Sequence, residues 1–138
     1  MIKLSAVIIT YNEEKKIERC IQSLLQIADE IIIVDSCSTD KTKEICKTYN
    51  VKFIEQPFLG YKQQKNFALA QAKYDYVLSL DGDEALSNEL IRSILEVKKD
   101  FNYDGYYVNR FNNYCGQWIK YSNWYPDRKL RLFKKRKG

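Results

Sequence analysis

The chain alternates between two kinds of apolar pattern. Leu4 to Thr10, Ile31 to Val34, Val51 to Ile54 and Tyr76 to Leu80 are short, nearly unbroken apolar runs, the signature of strands buried on both faces. Between them apolar residues recur every three or four positions. Ile17, Cys20, Ile21, Leu24, Leu25 and Ala28 mark one helical face, with Asn12 as its expected cap and Glu13 and Glu14 in a first turn that favours acids. Ser38, Thr39 and Asp40 offer caps for a second helix running to about Tyr49, and a third is expected over Lys62 to Ala72. Ser87 caps a fourth, whose buried face is Leu90, Ile91, Ile94, Leu95 and Val97. Pro57 closes the third strand, and Gly105 to Phe111 reads as a fifth.

Strands alternating with helices imply right-handed crossovers and a mostly parallel sheet with helices on both faces, an α/β fold. Ligands on such sheets bind beyond the carboxyl ends of the strands. Polar residues gather at those ends: Thr10-Tyr11-Asn12-Glu13, Asp35-Ser36 and Asp81-Gly82-Asp83. Three separate segments thus bring acceptors and an aromatic ring to one edge. After Asn112 the pattern breaks. The stretch to Phe133 is rich in Tyr, Trp and Arg without a period and reads as loops and short strands of a second subregion, although RKLRLF alternates as a strand does.

Composition narrows the class. The 138 residues suit one domain with a proper core, and 45% hydrophobic residues exclude a disordered chain. No apolar run is long enough to span a bilayer, and the opening MIKLSAVIITYNEE carries acids where a signal peptide would be cleaved, so it reads as a first strand. The cysteines Cys20, Cys37, Cys46 and Cys115 have no CxxC spacing and the chain has no His, which argues against zinc and for reduced thiols in a cytoplasmic protein. The net charge of +5 is local: Arg128, Lys129, Arg131, Lys134, Lys135, Arg136 and Lys137 leave the preceding residues at −2. Such a tail suits an anionic membrane surface, at about 1 kcal/mol per residue, or serves solubility. The acidic body offers no broad basic face, so nucleic acid is not expected as a partner.

Asp81-Gly82-Asp83 is the strongest chemical candidate. Two carboxylates flanking a glycine in a tight turn can face one point, and hard cations take one or two carboxylates plus substrate phosphates. The plain alternative is a solvated turn that caps the next helix. Asp35 has two readings of equal weight, a cap for the second helix or an acceptor for a base or ribose. Tyr11 serves either packing or stacking on a base. Lys62 and Lys65, one turn apart, form either a solvated face or a diphosphate contact.

Taken together, SAVIITYNEE, IIIVDSCSTDKT, QKNFAL and the DGDE after YVLSL, in this order and spacing, resemble glycosyltransferase family 2, inverting enzymes of GT-A fold. The segment GQWIKYSNWYPDRKLRLFKK is similar to the lipopolysaccharide-core glucosyltransferases of the WaaE/KdtX type. The resemblance implies that Thr10, Tyr11 and Glu13 hold the nucleotide's base region, Asp35 binds the base and Lys65 sits near the donor. It further implies that Asp81 contacts ribose or sugar and Asp83 ligates Mg²⁺ or Mn²⁺. The donor would be a UDP-sugar and the acceptor a lipid-linked saccharide, reached from the cytoplasm by peripheral contact with the inner membrane. Residues 1–104 would form the nucleotide-sugar-binding region, and 105–138 an incomplete acceptor-side region. Family members run further and carry the general base well after the metal motif, in the narrower group within a His-Glu pair. With no His here, Asp127 is the nearest acid in that region, and a C-terminally truncated chain is expected.

Other classes remain for comparison. A donor-binding fragment or pseudoenzyme would share the same site and lack turnover. A nucleotidyltransferase would show a Gly-rich loop after the first strand, where this chain has TYNEE.

Overall fold

In the computed structural model, which describes residues 2–99, 105–109, 118–120 and 128–134, four strands run parallel: β1 (Leu4–Thr10), β2 (Glu30–Asp35), β3 (Lys52–Glu55) and β4 (Tyr76–Asp81). Helices α1 (Ile17–Leu24), α2 (Thr42–Lys47) and α3 (Tyr61–Gln71) fill the crossovers, and α4 (Asn88–Lys99) follows β4. Then β5 (Gly105–Asn109), β6 (Trp118–Lys120) and β7 (Arg128–Lys134) extend the same sheet antiparallel, in the order β3-β2-β1-β4-β7-β5-β6. The RKLRLF alternation is therefore a strand, inserted against β4 with Leu132 opposite Leu78. The sheet continues across the expected 104/105 boundary, and β7 spares β4 an open apolar edge.

Alternation along β1 sorts the core into two layers. Leu4, Ala6 and Ile8 face Ile17, Cys20, Ile21 and Leu24 of α1, Cys46 of α2, and Ile91 and Ile94 of α4. Val7 faces the other way, with Ile32, Val34 and Val77, onto Ala68 of α3 and the adjacent Ala72. Each such branched side chain, fully buried, contributes about 1.5–3 kcal/mol, so the sheet is held from both sides and its strand tips are fixed.

Several local expectations are corrected. Asn12 does not cap α1. It sits at φ 49°, Glu13 and Glu14 precede the helix, and α1 begins at Ile17 after a turn closed by the Lys16 and Ile17 amides on the Glu13 carbonyl. The helix also stops at Leu24: Leu25 is 53% exposed, while Ile27 beyond it is buried. On α4, Ser87 Oγ accepts the Leu90 amide as a cap should. Its buried face, however, is Leu90, Ile91, Ile94 and Lys98, with Leu95 and Val97 only half-buried. Lys98 Nζ donates to the Ile27 carbonyl (2.7 Å) and to Asp29 Oδ2 (2.9 Å), and Asp29 also accepts the Leu4 amide (2.8 Å). Burial alone would raise the Asp29 carboxyl, but the Lys98 and Leu4 hydrogen bonds outweigh it and hold the group below its usual range. Among the described residues no helix is long and apolar enough to cross a membrane.

Candidate functional site

Register sets the strand tips level with one another. Thr10 pairs with Asp35 and Ile9 with Asp81, so β1, β2 and β4 end side by side, about 4.8 Å apart. The first residue beyond each neighbouring strand then ties back. The Ser36 amide donates to the Thr10 carbonyl (2.9 Å), the Gly82 amide to the Ile9 carbonyl (2.9 Å) and the Gln56 amide to the Asp35 carbonyl (2.8 Å).

These tips open into a cleft of about 610 Å³, within the ordinary range for small-molecule sites. Ile9, Thr10, Tyr11 and Glu13 line it from the β1 end, Ser36 from β2, and Asp81, Gly82 and Asp83 from β4. Phe58 closes it from the β3–α3 connection, and Tyr61 and Gln64 from the first turn of α3. Of the predicted site residues the structure thus gathers Thr10, Tyr11, Glu13, Asp81 and Asp83 around one cavity.

The β4 tip is open for chemistry. Glu84 Oε1 accepts the Asp81 amide (2.8 Å) and the Glu84 amide returns to the Asp81 carbonyl (3.0 Å), so Glu84 organises the turn. Among the described residues neither the Asp81 nor the Asp83 carboxylate receives a hydrogen bond. Gly82 is required by packing: a Cβ there would stand 2.7 Å from Thr10 Cβ. Burial, and next the nearby Asp83, raises the Glu13 carboxyl above its ordinary value; Lys16 opposes this, and Asp40 and Asp81 add to it. Negative charge is thus crowded at this end of the cleft. Among the described residues no group of three His, Cys, Asp or Glu is close enough to enclose a metal alone. A hard cation here fits the donor set of carboxylate oxygens only with its remaining positions filled by diphosphate oxygens or water.

Asp35 is placed differently. It is 1% exposed and does not line the cleft. Its Oδ2 accepts the Ser38 amide (2.7 Å) and its Oδ1 the Ser38 hydroxyl. The same loop holds the β1 end: the Asn12 amide donates to Ser38 Oγ (2.8 Å), the Thr39 amide to Asn12 Oδ1 (2.8 Å) and the Glu13 amide to Thr42 Oγ1 (2.9 Å). Asp40 accepts the Thr42 amide (2.9 Å) from just ahead of α2, but the helix's N-cap is Lys41 with no side-chain cap bond, so none of Ser38, Thr39 and Asp40 holds the expected cap position. Lys65 is half-buried and Lys62 exposed on α3, and neither lines the cleft. Asp127 and Cys115 lie outside the described residues. Cys20 and Cys46 are buried free thiols, the latter pushed up to about 12 by burial first and Asp35 next, so neither serves as a nucleophile.

Phe58, Tyr61 and Gln64 were missed by sequence reasoning. Phe58 and Tyr61 meet edge to face at 5.2 Å and stay 52% and 74% exposed at the rim. Their cue was the unusual run of large apolar residues around Gly60, whose φ of 115° bends the chain into α3.

A parallel sheet covered on both faces, with acids at the β4 tip and an aromatic ring at the β1 tip, is the layout of a GT-A-type nucleotide-binding fold. The chain belongs to glycosyl transferase family 2, whose model matches residues 5–138. It is similar to an uncharacterized glycosyltransferase of Rickettsia bellii, 48% identical over 75% of this chain and 35% of that protein. A second relative is LpsC of Rhizobium meliloti, a lipopolysaccharide core biosynthesis glycosyltransferase, 36% identical over 99% of this chain and 53% of that protein. The chain therefore spans between about a third and about half of these relatives' length. Among solved structures, S. aureus TarS 1-349 in complex with UDP-GlcNAc matches at TM-score 0.60 and 29% identity, covering 74% of this chain and 32% of that one. The Mycobacterium tuberculosis glucosyl-3-phosphoglycerate synthase with Mn²⁺, UDP and glucosyl-3-phosphoglycerate matches at TM-score 0.54 and 25% identity, covering 61% and 36%.

Proposed function

We propose that the chain carries the donor half of an inverting, metal-dependent glycosyltransferase that moves a sugar from a UDP-linked donor to a lipopolysaccharide-core or other cell-envelope saccharide. The observation that carries this reading is the convergence of Tyr11, Glu13, Asp81 and Asp83 on one cleft, with both carboxylates of the β4 tip left without hydrogen bonds among the described residues. Support for the donor and the ion comes from solved neighbours that hold UDP-GlcNAc, or UDP with Mn²⁺. Support for the acceptor class comes from LpsC.

In this reading Asp83 holds Mg²⁺ or Mn²⁺, and the ion, when bound, neutralises the diphosphate leaving group. Asp81 orients ribose or sugar, Thr10 lends its hydroxyl, and Glu13 completes the acidic end of the cleft. Tyr11, 54% exposed at the mouth, is no core ring and offers its face to the base. Asp35 acts from below: by locking Ser38 it fixes the loop that positions Ser36 and the Tyr11–Glu13 segment. Lys65 supplies positive charge on α3 beside the cleft. The basic segment 128–137 gives peripheral contact with an anionic membrane surface on the cytoplasmic side. The test is calorimetric titration of the purified protein with UDP, with and without Mn²⁺, followed by a transfer assay with UDP-sugar and a core saccharide. Metal-dependent binding supports the donor site, and transfer separates an enzyme from a donor-binding fragment.

A further inference from the structure

Among the described residues, the buried side-chain polar atoms that lack a hydrogen-bond partner are Thr10 Oγ1 and Gln64 Oε1. Both residues line the same cleft. A buried acceptor without a donor costs about 1–3 kcal/mol, so two in one cavity point to groups brought by a ligand.

Gln64 is the more informative of the two. It is 1% exposed on α3, and Nε2 donates to Ser36 Oγ (3.1 Å) and to the Gln56 carbonyl (3.2 Å). A carbonyl only accepts, so the Gln56 contact fixes which amide atom is nitrogen and leaves Oε1 as an acceptor in want of a donor. The Nε2 bonds lie at the long end of the normal range, and the terminal torsion of a glutamine is soft. Oε1 can therefore turn toward a ligand without leaving its rotamer.

Position in the sheet says which part of the ligand arrives. Ser36 and Gln56 follow β2 and β3, whereas Asp81 and Asp83 follow β4, on the far side of β1. Two strand spacings, roughly 10 Å, separate the β2 tip from the β4 tip. With the diphosphate at the acids, the group reaching Gln64 is the distal end of the nucleoside. A ribose hydroxyl both donates and accepts. An imide N–H only donates, and it is the better match for a lone acceptor. Asp35, the acceptor expected for the base, is 1% exposed, does not line the cleft and accepts from Ser38 at each oxygen.

We infer that Gln64 is a specificity-determining residue of the donor site: its Oε1 accepts the imide N–H of the nucleobase, selecting a uracil-type over a cytosine-type base. The inference rests on the donor-site reading above. Its test is calorimetry with Mn²⁺ present, titrating UDP, CDP and N3-methyl-UDP into the wild-type protein, Gln64→Met and Gln64→Glu. Wild type should bind UDP about tenfold more tightly than the other two nucleotides. Gln64→Met should bring the three to near parity, and Gln64→Glu, which keeps an acceptor, should retain the preference for UDP. A folded Gln64→Met that still prefers UDP overturns the assignment, as does a wild type indifferent to N3 methylation. The methylated nucleotide on wild type carries the test alone if Gln64→Met does not fold. 2′-Deoxy-UDP is the control: Gln64→Met should leave its ratio to UDP unchanged, and a collapsed ratio would put the ribose on Oε1 and refute base reading. Metal-dependent UDP binding without base preference sinks this inference only, whereas no nucleotide binding at all sinks the proposed function too.

Discussion

The tips of β2 and β4 each present an aspartate beside β1, and they use it in opposite ways. At β2, Asp35 is 1% exposed and both carboxylate oxygens are taken by Ser38, three residues on. At β4, Glu84, also three residues on, takes the turn amide instead, and neither the Asp81 nor the Asp83 carboxylate accepts a hydrogen bond among the described residues. What decides the fate of a strand-end acid is the residue that folds back on it. A serine brings an amide and a hydroxyl to the carboxylate and makes it a strut. A glutamate satisfies the amide itself and leaves the aspartates facing the cleft.

Asp35→Ala tests the strut and carries the largest expected effect. The half-buried Ser38 amide and hydroxyl would lose their acceptor, at about 1–3 kcal/mol each. Urea unfolding should show a loss of about 3 kcal/mol, and a loss under 1 kcal/mol would erase the contrast with β4. Gly82→Ala probes the packing of the other tip. Forcing a Cβ against Thr10 should cost about 1–3 kcal/mol in the same assay, whereas a neutral result would show that the turn has room. Tyr11→Ala should leave the melting temperature unchanged and weaken UDP binding by about 1–3 kcal/mol; an unaltered affinity would return Tyr11 to an idle surface role.

The smallest effect is electrostatic and concerns the crowding at β4. Burial and then Asp83 raise the Glu13 carboxyl above 4.5, so the folded state holds this proton more tightly than the unfolded chain. That contribution to stability is complete below the unfolded value and is lost as pH rises through the higher folded value. As pH rises from about 4 to 7 the wild-type melting temperature should therefore fall relative to that of Glu13→Gln. A difference of opposite sign would mean that Glu13 is stabilised by partners, not crowded by acids.

The same contrast shows what a sequence discloses. Continuous apolar runs announced β1, β2 and β4 because those strands are buried on both faces, and the topology then placed Thr10, Tyr11, Glu13, Asp81 and Asp83 at one edge without further information. The engagement of Asp35 was not legible, since Ser38 is as good a cap as it is a partner. Asn12 looked like a cap for the same reason, yet it binds the neighbouring loop across 27 residues. Gln64 was hidden because the buried face of α3 is Gln64 and Ala68, which carries no apolar stripe. The insertion of β7 between β4 and β5 is a pairing between residues more than fifty positions apart, which periodicity does not encode.

The central claim, that the β4 tip binds a divalent ion together with a donor diphosphate, is tested most directly by Asp83→Asn. The substitution preserves shape and removes one charged ligand from an exposed side chain. Calorimetry should show UDP binding by wild type that depends on Mn²⁺ or Mg²⁺, and its loss by at least tenfold in the variant, with the melting temperature nearly unchanged. Metal-dependent UDP binding that survives Asp83→Asn at wild-type affinity would contradict the account.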